Sequence, residues 1–263
     1  CLFYLSNGQK WSEKNYSEID YSITTTMRLL FKENENINYT QYEFPYCVYA
    51  IKEGNDLYTD IYKQGFLTYT GDFSVSEEIF YLARSIRIPL AGKTFSYKQN
   101  NVFNNFEQIF DTAQLRFELV EKELLMGNIE FRKWCLENAK NQFLTEERLD
   151  YILTRNYLKK ILLFYAGKEL LAYIFIISEN SMLHLWYSFY NLKKNLNNLG
   201  KWVILNVIKW CKEQGYEYFY IGTCYSSSAF YKLTLSPDSE YFTGSGWSSD
   251  ISKLKHHLLE GKK

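Results

Sequence analysis

The stretch Ile161–Gly222 decides the fold: ILLFYAGKELLAYIFIISENSMLHLWYSFYNLKKNLNNLGKWVILNVIKWCKEQGYEYFYIG. Its first part holds three apolar, β-branched and aromatic runs, Ile161–Tyr165, Glu169–Ser178 and Met182–Tyr190. Ala166-Gly167 and Glu179-Asn180 stand at the two breaks, so the runs predict consecutive strands joined by tight turns. The pattern then changes period. Leu199, Val203, Val207, Trp210 and Cys211 recur at helical spacing over Leu199–Gln214, and Gly215 ends the run. Tyr216–Ile221 follows as an aromatic-rich strand. A three-strand meander, a crossover helix and a returning strand place that last strand parallel to its neighbour. Such a crossover leaves a crevice at the strands' carboxyl ends. The helix start at Leu199-Gly200-Lys201 offers it free backbone N–H groups and a positive dipole end.

Working outward, a short helix is expected near Ser226–Lys232, a strand near Glu240–Phe242, and a C-terminal helix carrying His256-His257 after Leu254. Upstream, Thr112–Met126 (TAQLRFELVEKELLM) reads as a helix with Leu115, Leu119 and Val120 on one face and a stop at Gly127. Glu130–Gln142 and Glu146–Thr154 read as two more helices. The first hundred or so residues are turn-rich, with strands expected around Tyr42–Ile51 and Phe66–Tyr69. The chain is therefore expected to be an α/β protein of two domains. A smaller N-terminal α+β domain takes residues 1–105, and a mixed-sheet domain with a crossover helix takes 106–263.

Composition excludes several classes. Lys+Arg and Asp+Glu are both 30, which removes a strongly basic polyanion binder while leaving room for a local basic groove. The chain has 24 Tyr, 19 Phe and 6 Trp but only 3 Pro; with its many Asn, Lys and Ile, this is read in part as the bias an AT-rich coding sequence gives, so the excess is given little functional weight. The longest clean apolar run, Leu170–Ile177, is eight residues, against about 20 for a membrane span. The opening CLFYLSNGQKW lacks a basic region and a long apolar core, so no secretory signal is expected there; without an initiator Met it is consistent with a trimmed chain. The five cysteines, at 1, 47, 135, 211 and 224, show no paired spacing. No metal site, no cofactor and no disulfide framework is expected, and a reducing cytoplasm is the default location.

The strand and helix order resembles the core of the GNAT acyltransferase fold. Acetyl-CoA-dependent members carry a glycine-rich Q/R-x-x-G-x-G/A loop before the crossover helix, where this chain has Asn195-Leu-Asn-Asn-Leu-Gly-Lys-Trp202 with one glycine. The segment is more similar to the aminoacyl-tRNA–protein transferases, the arginyl and leucyl enzymes of the N-degron pathway. Their C-terminal signature is matched in order by Tyr187-Ser-Phe-Tyr190, Asn198-Leu-Gly-Lys-Trp202, Gly215-Tyr-Glu-Tyr-Phe-Tyr-Ile-Gly222 and Ala229-Phe-Tyr-Lys232. A second patch upstream matches in Ile61-Tyr-Lys-Gln-Gly-Phe66, Ser85-Ile-Arg-Ile-Pro-Leu90 and Ser96-Tyr-Lys-Gln-Asn100. The departures are specific. Glu77, Phe80 and Ala83 stand near the family's cysteine places, Phe44 stands in its C-P-Y motif, Leu67 and Thr68 replace its Arg pair, and Asn191 replaces an Asp.

The resemblance implies a transferase that takes an amino acid from charged tRNA, the donor, and places it on the α-amino group of a peptide or protein, the acceptor. It implies a substrate-binding set of Tyr187, Tyr190, Leu199, Gly200, Lys201, Gly222, Tyr225, Tyr231, Lys232 and Arg87, with no catalytic residue assigned. A monomer with no membrane partner is expected. The chemistry suits a site poor in acid–base groups. An aminoacyl ester is already activated, and an α-amine with a pKa near 7.7–8.0 attacks it unprotonated, so positioning and oxyanion stabilisation carry the rate. An acetyl-CoA-type N-acyltransferase and a non-enzymatic RNA- or peptide-binding descendant are the alternatives. The single-glycine loop weighs against the first, and the retained Leu199-Gly200 turn and Lys232 weigh against the second.

His184, between Leu183 and Leu185, is read as core in preference to a crevice residue. The alternating Tyr216, Tyr218 and Tyr220 are read as sheet packing in preference to a platform for the terminal adenine of tRNA. Arg87 inside an apolar strand needs a partner, either a buried salt bridge or a substrate. Gly222 serves either a tight turn or the crevice, and Lys232 either solvent or an anionic group. Lys193-Lys194, Lys209, Lys212 and His256-His257 are read as solvated charge.

Overall fold

The computed structural model describes residues 27–33, 46–71, 73, 75–92, 95–139 and 144–260. In chain order the elements are β1 (Arg28–Glu33), β2 (Tyr46–Ile51), α1 (Tyr58–Lys63), β3 (Phe66–Thr68), β4 (Ile79–Leu82), β5 (Ser85–Pro89), α2 (Tyr97–Glu107), β6 (Leu115–Glu121), α3 (Glu123–Met126), α4 (Ile129–Glu137), α5 (Glu146–Leu153), β7 (Lys160–Ala166), β8 (Glu169–Glu179), β9 (Met182–Tyr190), α6 (Leu199–Glu213), β10 (Tyr218–Thr223), β11 (Glu240–Phe242), β12 (Trp247–Ser248) and α7 (Ile251–Glu260). Positions 42–45 of the expected Tyr42–Ile51 strand, including Phe44, and positions 140–142 of the expected Glu130–Gln142 helix lie outside the described residues, as does Cys1.

Two compact units share these elements. The first holds the described residues up to Ile86, together with Thr223–Phe230 and the stretch from Glu240 onward. Its antiparallel sheet has the order β1-β2-β4-β3, and β11 pairs antiparallel with β12. Leu30, Cys47, Tyr49, Ile51 and Ile79 form a core cluster there. Gly65 is left-handed at φ +85°, and a Cβ on it would run into the Phe242 ring, so both conformation and space demand glycine.

The second unit holds Arg87–Gly222 and Tyr231–Ser239. Its strands follow the order β5-β10-β9-β8-β7-β6. The meander β7-β8-β9 is antiparallel, turning at Gly167 (φ +60°) and Asn180 (φ +49°), where the left-handed backbone suits Gly and Asn. β10 returns parallel to β9 through α6, which gives the mixed α/β architecture and GNAT-like connectivity expected. The core packs both faces. On one, Phe131, Cys135, Leu149, Ile152 and Leu153 of α4 and α5 meet Ile161, Leu163, Phe175 and Phe189. On the other, fully buried Trp202 of α6 stacks on Phe106 at 4.6 Å between ring centres and meets Phe164 edge-on at 5.4 Å. α6 buries Leu199, Trp202, Val203, Ile204, Leu205, Val207, Ile208 and Cys211, a wider stripe than the spacing alone implies.

One expected element is overturned. Thr112–Met126 is not a single helix: it is a short 3-10 turn, the strand β6 and the four-residue helix α3. Leu115 and Leu119 sit at helical spacing, but Leu115, Phe117 and Leu119 also alternate with Arg116 and Glu118. Pairing decides between the two periods. β6 lies against β7 from Leu115↔Ala166 to Glu121↔Lys160 without a register shift, and Phe117 stacks on Phe164 at 4.6 Å.

Candidate functional site

The crevice arises where β9 and β10 part. They pair only at Met182↔Tyr218, Leu183↔Phe219 and His184↔Tyr220, after which β9 runs on to Tyr190 and β10 to Thr223 without further pairing to each other. The cause is local. Opposite β8, Phe175 faces Tyr187 while Ile176 faces Leu185, so Trp186 is an extra residue in β9 just past the last β10 pair. A bulge at that point bends and twists the strand.

The loop from β9 to α6 is fastened at several points. Asn191 N–H donates to the Leu171 carbonyl at 2.9 Å, and Leu192 N–H donates to Oδ1 of buried Asn138 at 2.8 Å. The Asn191 side-chain amide donates to the Leu170 carbonyl at 3.4 Å, a bond an Asp carboxylate could not make. Lys194 pairs with Glu169 at 2.7 Å and Lys193 with Glu137 at 3.8 Å. Asn195 (φ +45°) and Asn198 (φ +64°) are left-handed, and Asn198 caps α6 without a side-chain cap bond. Leu199 N–H is taken by the Leu196 carbonyl and Trp202 N–H by that of Asn198. The N–H groups of Gly200 and Lys201, in the first turn, have no intrahelical acceptor by position. Gly200 lets the helix start approach Tyr190: a Cβ there would stand 3.1 Å from Tyr190 Cε2.

The opposite wall is the end of β10 and the segment Tyr231–Thr234. Gly222 is left-handed at φ +76°, and Lys232 Nζ would lie 3.4 Å from a Cβ on it. Lys201 Nζ donates to Thr234 Oγ1 at 3.3 Å, and Thr234 Oγ1 donates to the Tyr231 carbonyl at 2.7 Å, tying this segment to the first turn of α6. Buried His184 sits at the last β9–β10 pair, and burial followed by the Lys232 ammonium lowers its pKa to about 3. Its imidazole is neutral at working pH, a poor proton acceptor. Burial also raises the Tyr190 phenol, with a Ser188 hydrogen bond pulling the other way.

The structure thus gathers Tyr190, Leu199, Gly200, Lys201, Gly222, Tyr231 and Lys232 around one parting of strands. Tyr187 does not join them: its ring stacks on Phe189 at 6.4 Å and packs into the α4–α5 core. Arg87 lies with its guanidinium 4.3 Å from the centre of the Tyr218 ring. Tyr225 belongs to the first unit, where its hydroxyl accepts the Arg84 N–H at 2.9 Å. Thr234, Ser188 and Asn138 were not singled out from sequence; a lone polar residue carries no periodic signal. Among the described residues no group of three or more His, Cys, Asp and Glu is placed to hold a metal. Cys135 and Cys211 are buried, and burial pushes both thiols up. No described helix is long and apolar enough to cross a membrane.

Residues 123–239 match the family described as arginine-tRNA-protein transferase, C terminus. No curated protein matches the chain. Among solved structures, the chain is similar to L-PGS from Bacillus licheniformis, with 15% identity, 64% of this chain and 51% of that one covered, and a TM-score of 0.39. It is similar to the C-terminal domain of a putative lysylphosphatidylglycerol synthetase from Agrobacterium fabrum, with 12% identity, 59% and 51% coverage, and a TM-score of 0.39. A conserved protein of unknown function from Bacteroides thetaiotaomicron gives 11% identity, 57% and 54% coverage, and 0.42. The chain spans about half the length of these solved structures.

Proposed function

We propose, from the match of residues 123–239 to the family described as arginine-tRNA-protein transferase, C terminus, that this chain moves an amino acid from charged tRNA to the α-amino group of a peptide or protein. One observation carries the reading: the matched segment contains β9, α6, β10 and Lys232, every element that builds the crevice. Arginine is the first donor to test, because the family description names it. The reaction belongs in the cytoplasm, where charged tRNA is made, and the modified N-terminus is of the kind read by an N-degron pathway.

The residues divide the work. The Gly200 and Lys201 N–H groups at the start of α6 receive a phosphate of the tRNA acceptor end, helped by the helix dipole. Lys232, over Gly222, holds an anionic group of the acceptor. Held between them, the acceptor's neutral α-amine attacks the ester carbonyl. A C–N bond forms, the ester C–O bond breaks, the tRNA 3′ or 2′ oxygen leaves with a proton, and the amine sheds one proton in exchange. No general base is required, because the amine arrives unprotonated and the ester is activated. His184, neutral beside Lys232, takes no proton; it fills the base of the parting as a buried group.

The test offers the purified protein labelled pools of charged tRNA and, separately, labelled acetyl-CoA, each with a peptide library. Label entering peptide from a charged tRNA is expected. Label from acetyl-CoA alone overturns the reading in favour of an acetyl-CoA-type N-acyltransferase.

A further inference from the structure

We propose that Gln99 positions Lys232 and, resting on the role given to that lysine above, sets the affinity for the acceptor. Gln99 belongs to the motif Ser96-Tyr-Lys-Gln-Asn100 and stands in the first turn of α2. Glutamine is mostly a surface residue, yet Gln99 is fully buried. Both ends of its amide are used. Oε1 accepts the Ser96 N–H at 2.6 Å, and Nε2 donates to the carbonyl of Leu235, 136 residues away in the same compact unit. The Ser96 N–H fixes which way the amide faces, because only the oxygen can accept it. Capping a helix start needs no more than that oxygen, and Glu supplies it as well as Gln does. A carboxylate, however, would set a second acceptor against the Leu235 carbonyl with no proton between them. The donor on Nε2 is what requires glutamine here.

From Leu235 the connection runs on to the crevice. Leu235 is fully buried, its N–H donates to the Lys232 carbonyl at 3.3 Å, and Lys232 Nζ lies over Gly222. The other end of α2 is fixed to the opposite wall. Phe106 in its last turn and Phe110 just after it stack on Trp202, in the first turn of α6, at 4.6 and 5.4 Å. α2 therefore braces the start of α6 and the Lys232 segment against each other from inside the unit. The tie from Lys201 to Thr234 crosses the same gap, but it is exposed, and water competes for both partners. A lysine ammonium on its flexible stem reaches many positions, so fixing the backbone it starts from narrows where it can stand.

Gln99→Glu tests this, because it keeps the oxygen toward Ser96 and removes the donor toward Leu235. A carboxyl buried against a carbonyl titrates upward, toward neutral pH, and once protonated its O–H donates to Leu235 again. The first readout needs no transfer activity: acetylation of Lys232 by a water-soluble ester, located by mass spectrometry. Relative to wild type at the same pH, it should be about fivefold faster near pH 8.5 and within about twofold near pH 6, with exposed Lys209 unchanged. The second readout is the acceptor KM, which should rise by the same ratio and recover at the same pH, while kcat and tRNA affinity stay within about twofold. Gln99→Met, neutral and close in volume, lacks the donor at every pH and should be fast at both; it carries the comparison where a buried carboxylate unfolds the chain. Wild-type acetylation of Lys232 in both variants overturns the proposal. So does a change in Gln99→Glu that is equal at both pH values, or a faster acetylation with an unchanged acceptor KM. Should the wild type transfer from no charged tRNA while acetylation moves as expected, Gln99 still positions Lys232, and it is the transferase reading that falls.

Discussion

His184 and Lys232 are far apart in sequence, yet burial first and the Lys232 ammonium second hold the His184 pKa down. The folded imidazole titrates near 3, against about 6.5 when exposed, so between those values the unfolded chain holds the extra proton. The stability contributed is complete above about pH 6.5 and is lost as pH falls toward 3. Wild type should therefore lose on the order of a few kcal/mol across that window that His184→Gln does not lose, read as the difference between their melting-temperature profiles against pH. Because His184 takes no proton in the reaction, the transfer rate should rise with pH through the acceptor amine, about 7.7–8.0, and flatten with no inflection near 6.5. An inflection near 6.5 that His184→Gln abolishes would contradict this.

Two more residues are testable at this scale. Lys232→Ala should raise the acceptor KM about tenfold and leave tRNA affinity and its salt dependence unchanged; a salt slope reduced by about one phosphate contact would move its partner to the RNA. Gly200→Val should weaken tRNA binding about tenfold or more, because the new side chain meets the Tyr190 ring and covers the N–H groups of the first turn. Unchanged affinity with unchanged melting would put the donor elsewhere. Gly200, Gly222 and Lys232 were legible in sequence because they fall in ordered motifs. The approach of Lys232 to Gly222, the electrostatic coupling of buried His184 to that lysine and the tie from Lys201 to Thr234 were not, since each depends on how a loop closes.

Among the elements, the meander, α6 and β10 were legible because each repeats one period over many residues and stops at a Gly or Asn turn. β6 was not: a short run in which Leu115 and Leu119 satisfy one period and Leu115, Phe117 and Leu119 the other is decided by its neighbour β7. The bulge at Trp186, which parts β9 from β10, leaves no mark in composition, as one extra residue in a strand looks like any other. The entry to α6 does leave one, in Asn195 and Asn198. Asn198 at φ +64° holds a conformation costing most residues about 1–2 kcal/mol. Asn198→Gly should keep the melting temperature within about 2 °C, whereas Asn198→Val should lower it by about 3–8 °C. Equal melting of the two variants would show that the left-handed turn does not hold the helix start.

For the whole molecule, the assignment of Thr223–Phe230 and the stretch from Glu240 onward to the same unit as β1–β4 rests on long-range closure that local periodicity does not carry. The central claim is chemical: an aminoacyl group leaves charged tRNA for an α-amine. It is tested most directly by presenting the protein with radiolabelled arginyl-tRNA and one peptide in two forms, with its α-amine free or acetylated, and locating the label by sequencing the product. The account predicts label on the α-nitrogen of the free peptide and none on the blocked one. Equal labelling of both forms, or none from any charged tRNA while acetyl-CoA labels the free peptide, would contradict it.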